Sequence, residues 1–176
     1  MHANLKTGLV LTVVTGLSAI ALAATEEFKG DTTEGWMVWD LKANQQDNSK
    51  ITSSEGSLHF KYDRAGFVLL GHMRPVTDLK ELKVVITSDA DITVAFAVED
   101  QDKARFHYPV ELKAGKETTV TVKPEHFKPS DDSPTKKEKV EPARLGAGYA
   151  LVDLGAFTGA TGDNTLHIKQ VTITRN

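Results

Sequence analysis

From Ile92 onward the chain alternates. Ile92, Val94, Phe96 and Val98 fall on one parity, with Thr93, Ala95, Ala97 and Glu99 on the other. After the acidic turn Glu99-Asp100-Gln101-Asp102 the pattern resumes, with Phe106, Tyr108 and Val110 set against Arg105 and His107. Side chains of a strand point alternately to its two faces, so this spacing predicts a pair of half-buried strands joined as a hairpin. The same period runs through residues 57–63, where Leu58, Phe60 and Tyr62 oppose His59 and Lys61, and through Leu82, Val84 and Ile86. Val120 and Val122 end another such stretch. Near the C-terminus Ala150, Val152 and Leu154 are predicted inward, against Tyr149, Leu151 and Asp153 outward. Leu166, Ile168, Val171 and Ile173 close the chain, and the three-residue step from Ile168 to Val171 predicts a β-bulge. With Phe67 to Leu70 these make eight or more short strands and almost no helical periodicity. That pattern predicts an all-β, two-sheet antiparallel β-sandwich with Leu58, Phe60, Tyr62, Val84, Ile86, Val94, Phe96, Phe106 and Ile168 in its core.

Two segments interrupt the alternation. Asp40 to Ser57 is polar and turn-rich. Lys123 to Leu145 holds three prolines after Pro124 and the run Lys136-Lys137-Glu138-Lys139, which, broken by acids and lacking aromatic partners, reads as a solvated loop. Ahead of the strands, a short start carrying Lys6, an apolar run from Leu9 to Ile20 and the small-residue stretch Ala21-Leu22-Ala23-Ala24 predict a secretory signal peptide over residues 1–24, cleaved after Ala23 or Ala24. If retained, the segment is about long enough to anchor the domain in a membrane; residues 25–176 form the single domain. The absence of cysteine excludes a lipid-anchored lipoprotein and thiol chemistry, and it fits a periplasmic or secreted protein whose core manages without disulfides. With 24 acidic against 21 basic side chains, one of them in the leader, nucleic acid is not an expected partner.

The order of motifs carries a resemblance. Glu-Glu-Phe-Lys-Gly with Gly-Trp shortly after, Gly-Ser-Leu-His-Phe-Lys-Tyr, and a strand ending in Glu-Asp-Gln-Asp come first. Lys-Ala-Gly-Lys-Glu-Thr-Thr-Val-Thr-Val with Pro-Glu-His-Phe, and the closing Asn-Thr-Leu-His-Ile-Lys-Gln-Val-Thr-Ile, follow. Over most of residues 25–176 this resembles the jelly-roll, galactose-binding-like superfamily, and within it the glucan-binding carbohydrate-binding modules and the complex I intermediate-associated protein domains. The resemblance implies a sandwich with a concave binding face. It also implies a core role for Trp36 near the first strand. Both tryptophans lie in Glu34-Gly-Trp-Met-Val-Trp-Asp40, and Trp39, three residues on, takes the opposite face of an extended chain. Trp39 is therefore free to meet a ligand or cover the sandwich edge.

From the alternation, Glu99, Arg105, His107, Tyr149 and Asp153 form the outward set. Glucan-binding modules use Tyr, Asp and Arg on their concave face, so the resemblance favours Arg105, Tyr149 and Asp153 as glycan contacts. On the same strands Ala95, Ala97 and Leu151 suit a flatter apolar patch that docks a protein. Jelly-roll modules of this kind often hold a structural calcium, for which Glu26, Glu27 and Asp31 are the oxygen donors the resemblance offers; the closing strand has Lys169 and Gln170 where an acid is common. No other cofactor is expected. His59, His72, His107, His126 and His167 show no metal-ligand spacing. Neither a Gly-x-Ser-x-Gly elbow nor His-Glu-x-x-His is present, so a non-catalytic module is expected rather than an enzyme. Two readings stand: an exported carbohydrate-binding module, or an extracytoplasmic accessory or assembly subunit that binds a protein partner in a larger, possibly membrane-bound, complex. Membrane contact enters only with a retained leader.

Overall fold

The computed structural model describes residues 24–176; all but Ala24 of the predicted leader lies outside the described residues. In chain order the strands are β1 (Thr25–Lys29), β2 (Trp36–Asp40), β3 (Gln45–Gln46), β4 (Ile51–Ser54), β5 (Ser57–Asp63), β6 (Val68–His72) and β7 (Leu79–Ser88). They continue with β8 (Ile92–Asp100), β9 (Arg105–Leu112), β10 (Thr118–Val122), β11 (Lys128–Pro129), β12 (Leu145–Asp153) and β13 (Asp163–Arg175). One sheet runs β10-β7-β13-β5-β4, with β1 also on β13; the other runs β11-β9-β8-β12-β6-β2-β3, and all the strand pairs are antiparallel. The fold is a jelly-roll β-sandwich.

All nine expected core residues are buried between the sheets, each at most 4% exposed. The predicted hairpin is β8–β9, with Phe96 opposite Tyr108 and Val98 opposite Phe106. The predicted bulge is present too: the register of β13 against β7 shifts between Ile168 and Gln170. This bulge lies where β13 changes neighbours, since β5 flanks its first half and β1 its second. Gly30 sits at that junction and donates its N–H to the Lys169 carbonyl at 2.8 Å. A Cβ on Gly30 would fall 1.9 Å from the Ile168 carbonyl oxygen and 2.5 Å from the Leu58 nitrogen, so only glycine lets three chain segments meet there.

The segment from Lys123 to Leu145 differs from its expectation as a solvated loop. It contributes β11 to the edge of the second sheet and buries Phe127 and Val140. Lys137 Nζ reaches Asp100 Oδ2 at 2.6 Å and Asp102 Oδ2 at 2.7 Å. The buried Asp100 also accepts the N–H groups of Asp102 and Ala104 through Oδ1, at 2.8 and 2.9 Å. A buried carboxylate is tolerated when its lone pairs are filled in this way. The acidic β8–β9 turn thus fastens the segment down.

Candidate functional site

The outer face of the seven-stranded sheet is built in rows that the strand register fixes. Trp39 lies across from Leu69, Leu69 from Val152, Val152 from Ala95 and Ala95 from Pro109. The next row runs Met37, Gly71, Ala150, Ala97 and His107. On the other side of Trp39 the backbone bonds from Leu41 N to Phe67 O and from Leu154 N to Thr93 O, 2.8 and 2.9 Å, extend the register to Leu41, Phe67, Leu154, Thr93 and Glu111. Apart from His107 and Glu111 of β9, these are apolar or small residues.

Three aromatic rings stand on one side of this face. Trp39 is half-buried, whereas Trp36, its neighbour in sequence, is 6% exposed and stacks inward on His72 at 4.3 Å between ring centroids. Both tryptophans therefore take the faces expected of them, Trp36 toward the core and Trp39 outward. Phe67 meets Phe157 edge to face at 5.1 Å, with Lys42 Nζ 4.7 Å above the Phe67 ring. Phe157 belongs to a single helical turn, Gly155–Thr158, and is 61% exposed; Leu41 beside this group is 46% exposed. Together these rings and Leu41 make an aromatic edge to the sheet face. Large apolar side chains left exposed side by side mark an interaction surface, unlike scattered single ones.

Beyond Leu154 the same row drops into an open cleft of about 460 Å³ lined by Arg64, Thr93, Glu111, Lys113 and Thr158, among others. Aromatic rings thus lead directly to two hydroxyls, Thr93 and Thr158, two acids, Asp91 and Glu111, and two cations, Arg64 and Lys113. Arg64 is held by the side chain of Asp153: its Nε donates to Asp153 Oδ2 at 3.0 Å, while Asp153 Oδ1 accepts the Gly155 N–H at 2.7 Å.

The expected outward set is divided by the sheet. Glu99, Arg105 and His107 do share the outer face, but they lie at the β8–β9 end and are engaged locally. Arg105 Nε donates to Glu99 Oε2 at 3.1 Å and Nη1 to Asp132 at 3.3 Å, while His107 Nδ1 is 2.9 Å from Ser130 Oγ. The hydrogen bond to Glu99 raises the Arg105 pKa. Tyr149 and Asp153, 3% and 6% exposed, point into the sandwich instead. The predicted phase of β12 was inverted, and with it the placing of Leu151 outward and of Ala150, Val152 and Leu154 inward. Residues 149–152 are apolar on both parities, so alternation could not fix the face. Burying Tyr149 and Leu151 removes more apolar surface from water than burying Ala150 and Val152, and that larger gain sets the phase. Asp153 follows them inward because Tyr62, Arg64 and the Gly155 N–H fill its lone pairs.

Tyr149 instead joins a buried aromatic box with Trp36, His72 and Phe96, which the partly buried Phe28 closes against His72. Burial pushes its phenol pKa well up, and it brings His72 down to about 4, with Arg74 adding to the effect on His72. Neither ring nitrogen of His72 nor the Tyr149 hydroxyl has a hydrogen-bond partner among the described residues. The calcium donors do not converge either. Glu26 is drawn to Arg175 at 2.6 Å, Glu27 follows it in β1 on the opposite face of the strand, and Asp31 is exposed past the strand end. Among the described residues no group of three or more His, Cys, Asp or Glu side chains is placed to hold a metal ion.

Phe67 and Phe157 were not singled out in the sequence. The available signal was Phe157 itself, a lone aromatic in the run Gly155-Ala-Phe-Thr-Gly-Ala-Thr-Gly162, where no alternation gives it a core position.

No known family profile matches this sequence, and no curated protein matches it. The fold does have solved neighbours. A variant of a family 29 carbohydrate-binding module superposes with a TM-score of 0.53 at 13% identity, covering 87% of this chain and 86% of its own. Two further variants of that module, one complexed with cellulohexaose and one with mannohexaose, each superpose with a TM-score of 0.52 at 13% identity. They cover 86% and 87% of this chain and 91% and 92% of their own. At this identity the likeness establishes the jelly-roll sandwich.

Proposed function

We propose that this chain is an exported, non-catalytic binding domain that holds a polysaccharide across the outer face of its seven-stranded sheet. The carrying observation is the aromatic edge of Trp39, Phe67 and Phe157, continuous with the polar cleft at Thr93, Glu111 and Lys113. Sugar rings present apolar C–H faces and a rim of hydroxyls. The rings of the edge suit the faces, and the cleft supplies donors and acceptors for the rim. Asp153 serves behind this surface by fixing Arg64 at the cleft. The fold neighbours solved with cellulohexaose and mannohexaose support the class of ligand, and the leader pattern of residues 1–24 supports export.

The test is calorimetric titration of the domain with cellohexaose, mannohexaose and a panel of soluble glucans. Binding should be weak and depend on the rings: Trp39→Ala and Phe157→Ala should each lower affinity about fivefold to a hundredfold, the loss of an aromatic anchor of about 1–3 kcal/mol. Arg105→Ala, at the far end, should leave it unchanged. Binding that survives both aromatic substitutions would overturn the site. Intact mass measurement of the native protein tests export, since a retained Met1 would instead anchor the domain to a membrane.

One observation favours a second reading. Gly71, Ala95, Ala97 and Ala150 make the middle of the face flat and apolar, which suits a protein surface better than a sugar ring. A protein partner follows if no polysaccharide binds.

A further inference from the structure

The opposite face of the sandwich carries a second constellation. His59 on β5 and His167 on β13 lie 108 positions apart in sequence and directly opposite each other in the sheet, with their Nδ1 atoms 2.8 Å apart and the rings nearly perpendicular. The other nitrogen of each ring is engaged. His167 Nε2 is 2.8 Å from Asp89 Oδ1, and His59 Nε2 is 3.1 Å from the Ser54 carbonyl oxygen and 3.0 Å from Ser54 Oγ.

Those outer partners select the tautomers. An ionised carboxylate only accepts, and the hydrogen bond from His167 holds Asp89 below the usual carboxylate range. His167 therefore carries its proton on Nε2. The Ser54 carbonyl oxygen only accepts, so a bond to it puts the His59 proton on Nε2 as well; the Ser54 hydroxyl, 3.0 Å from the same nitrogen, accepts from it in that tautomer and donates to it in the other. With both protons on Nε2, the Nδ1 atoms present lone pairs to each other at hydrogen-bond distance. Two facing lone pairs repel unless a positive centre lies between them. A proton on His59 Nδ1 relieves the repulsion, either in an imidazolium that keeps both N–H groups or in the neutral Nδ1 tautomer with Ser54 Oγ donating to Nε2.

A metal ion is the other positive centre the pair can hold, and it leaves the outer N–H of both rings in place. At metal–nitrogen bonds of about 2.0 Å, a separation of 2.8 Å subtends close to a right angle, the cis angle of tetragonal Cu(II) or Ni(II); a tetrahedral ion would spread the nitrogens to about 3.3 Å. Metal-bound imidazoles commonly donate their second N–H to a carboxylate or a backbone carbonyl, which is the arrangement of Asp89 behind His167 and of Ser54 behind His59. The pair is reachable, with the His167 side chain 29% exposed. We infer that His59 Nδ1 and His167 Nδ1 form a two-imidazole site for a divalent cation of tetragonal preference, Cu2+ before Ni2+, with solvent completing the coordination. This site is separate from the sheet face proposed for polysaccharide.

The experiment is titration of the chelator-stripped protein with Cu2+ and with Ni2+, followed by calorimetry and, for Cu2+, by electron paramagnetic resonance. A single saturable site with hyperfine splitting from two nitrogens is expected. His59→Gln and His167→Gln should each abolish that signal, and Asp89→Asn should weaken binding about tenfold or more. Imidazole nuclear magnetic resonance of the unaltered protein keeps the test independent of variant folding: Cu2+ should broaden His59 and His167 first, before His72, His107 and His126. Failure of both cations to bind below millimolar concentration would overturn the site, as would binding that persists in the doubly substituted chain or broadening that begins elsewhere. The pair would then share a proton.

Discussion

The Tyr62 hydroxyl, on the six-stranded sheet, donates to Asp153 Oδ2, on the seven-stranded sheet, at 3.0 Å across the buried interior. Asn164 Nδ2 donates in turn to the Tyr62 oxygen at 2.8 Å and to Ser88 Oγ at 3.0 Å, so one hydrogen-bonded chain ties the two sheets together. Burial pushes the Tyr62 phenol pKa far above its ordinary value, which keeps it a donor. The network ends at Arg64, on the rim of the cleft.

Removing its centre should therefore be costly. Asp153→Ala leaves the Tyr62 hydroxyl, the Gly155 N–H and the Arg64 guanidinium short of an acceptor, and should destabilise the domain by about 3–5 kcal/mol. Equilibrium denaturation in urea measures this. A loss under about 1 kcal/mol would mean that the network does not hold the sheets.

Gly30→Ala should be destabilising although the change is one methyl group. Its Cβ would collide with the backbone of β5 and β13, neither of which can turn aside as a side chain can. Overpacking of this kind costs about 1–3 kcal/mol or more. Gly115→Ala is a useful comparison: there the added Cβ meets nothing within 4 Å, so only its positive φ of 67° is strained.

Stability should fall as pH drops from about 6.5 to about 4. His72 titrates near 6.5 when unfolded and about 4 when folded, chiefly because burial disfavours its charged form. Within that window the unfolded chain binds a proton that the folded chain refuses. Its contribution is complete above the upper limit and lost through the lower one, amounting to at most roughly 3 kcal/mol. His72→Phe, which keeps a ring against Trp36, should flatten this part of a stability–pH profile. An unchanged slope in that variant would assign the dependence to other groups.

Phe96→Ala should cost about 3–5 kcal/mol, because Phe96 is fully buried and lies parallel to the Tyr149 ring, so its loss leaves a cavity between the sheets. Thermal and urea unfolding should agree on the loss. A value below about 1 kcal/mol would require the core to collapse around the missing ring.

The sequence by itself determined the sandwich. Wherever large apolar residues fell on one parity and polar ones on the other, as in residues 57–63 and 92–98, burial had one favourable solution and the structure adopts it. Trp36 and Trp39 also parted as their spacing required. What the tertiary structure alone decided are the places where local pattern is neutral. In β12 both parities are apolar, so the fit of Tyr149 among Trp36, His72 and Phe96 chose the face, and that choice moved Tyr149 and Asp153 off the expected binding surface. The aromatic edge joins Trp39 to Phe67 and Phe157, and the facing imidazoles join His59 to His167. Both depend on strand register between distant segments. Register is set by the packing of the whole sandwich, and no spacing within a single segment records it.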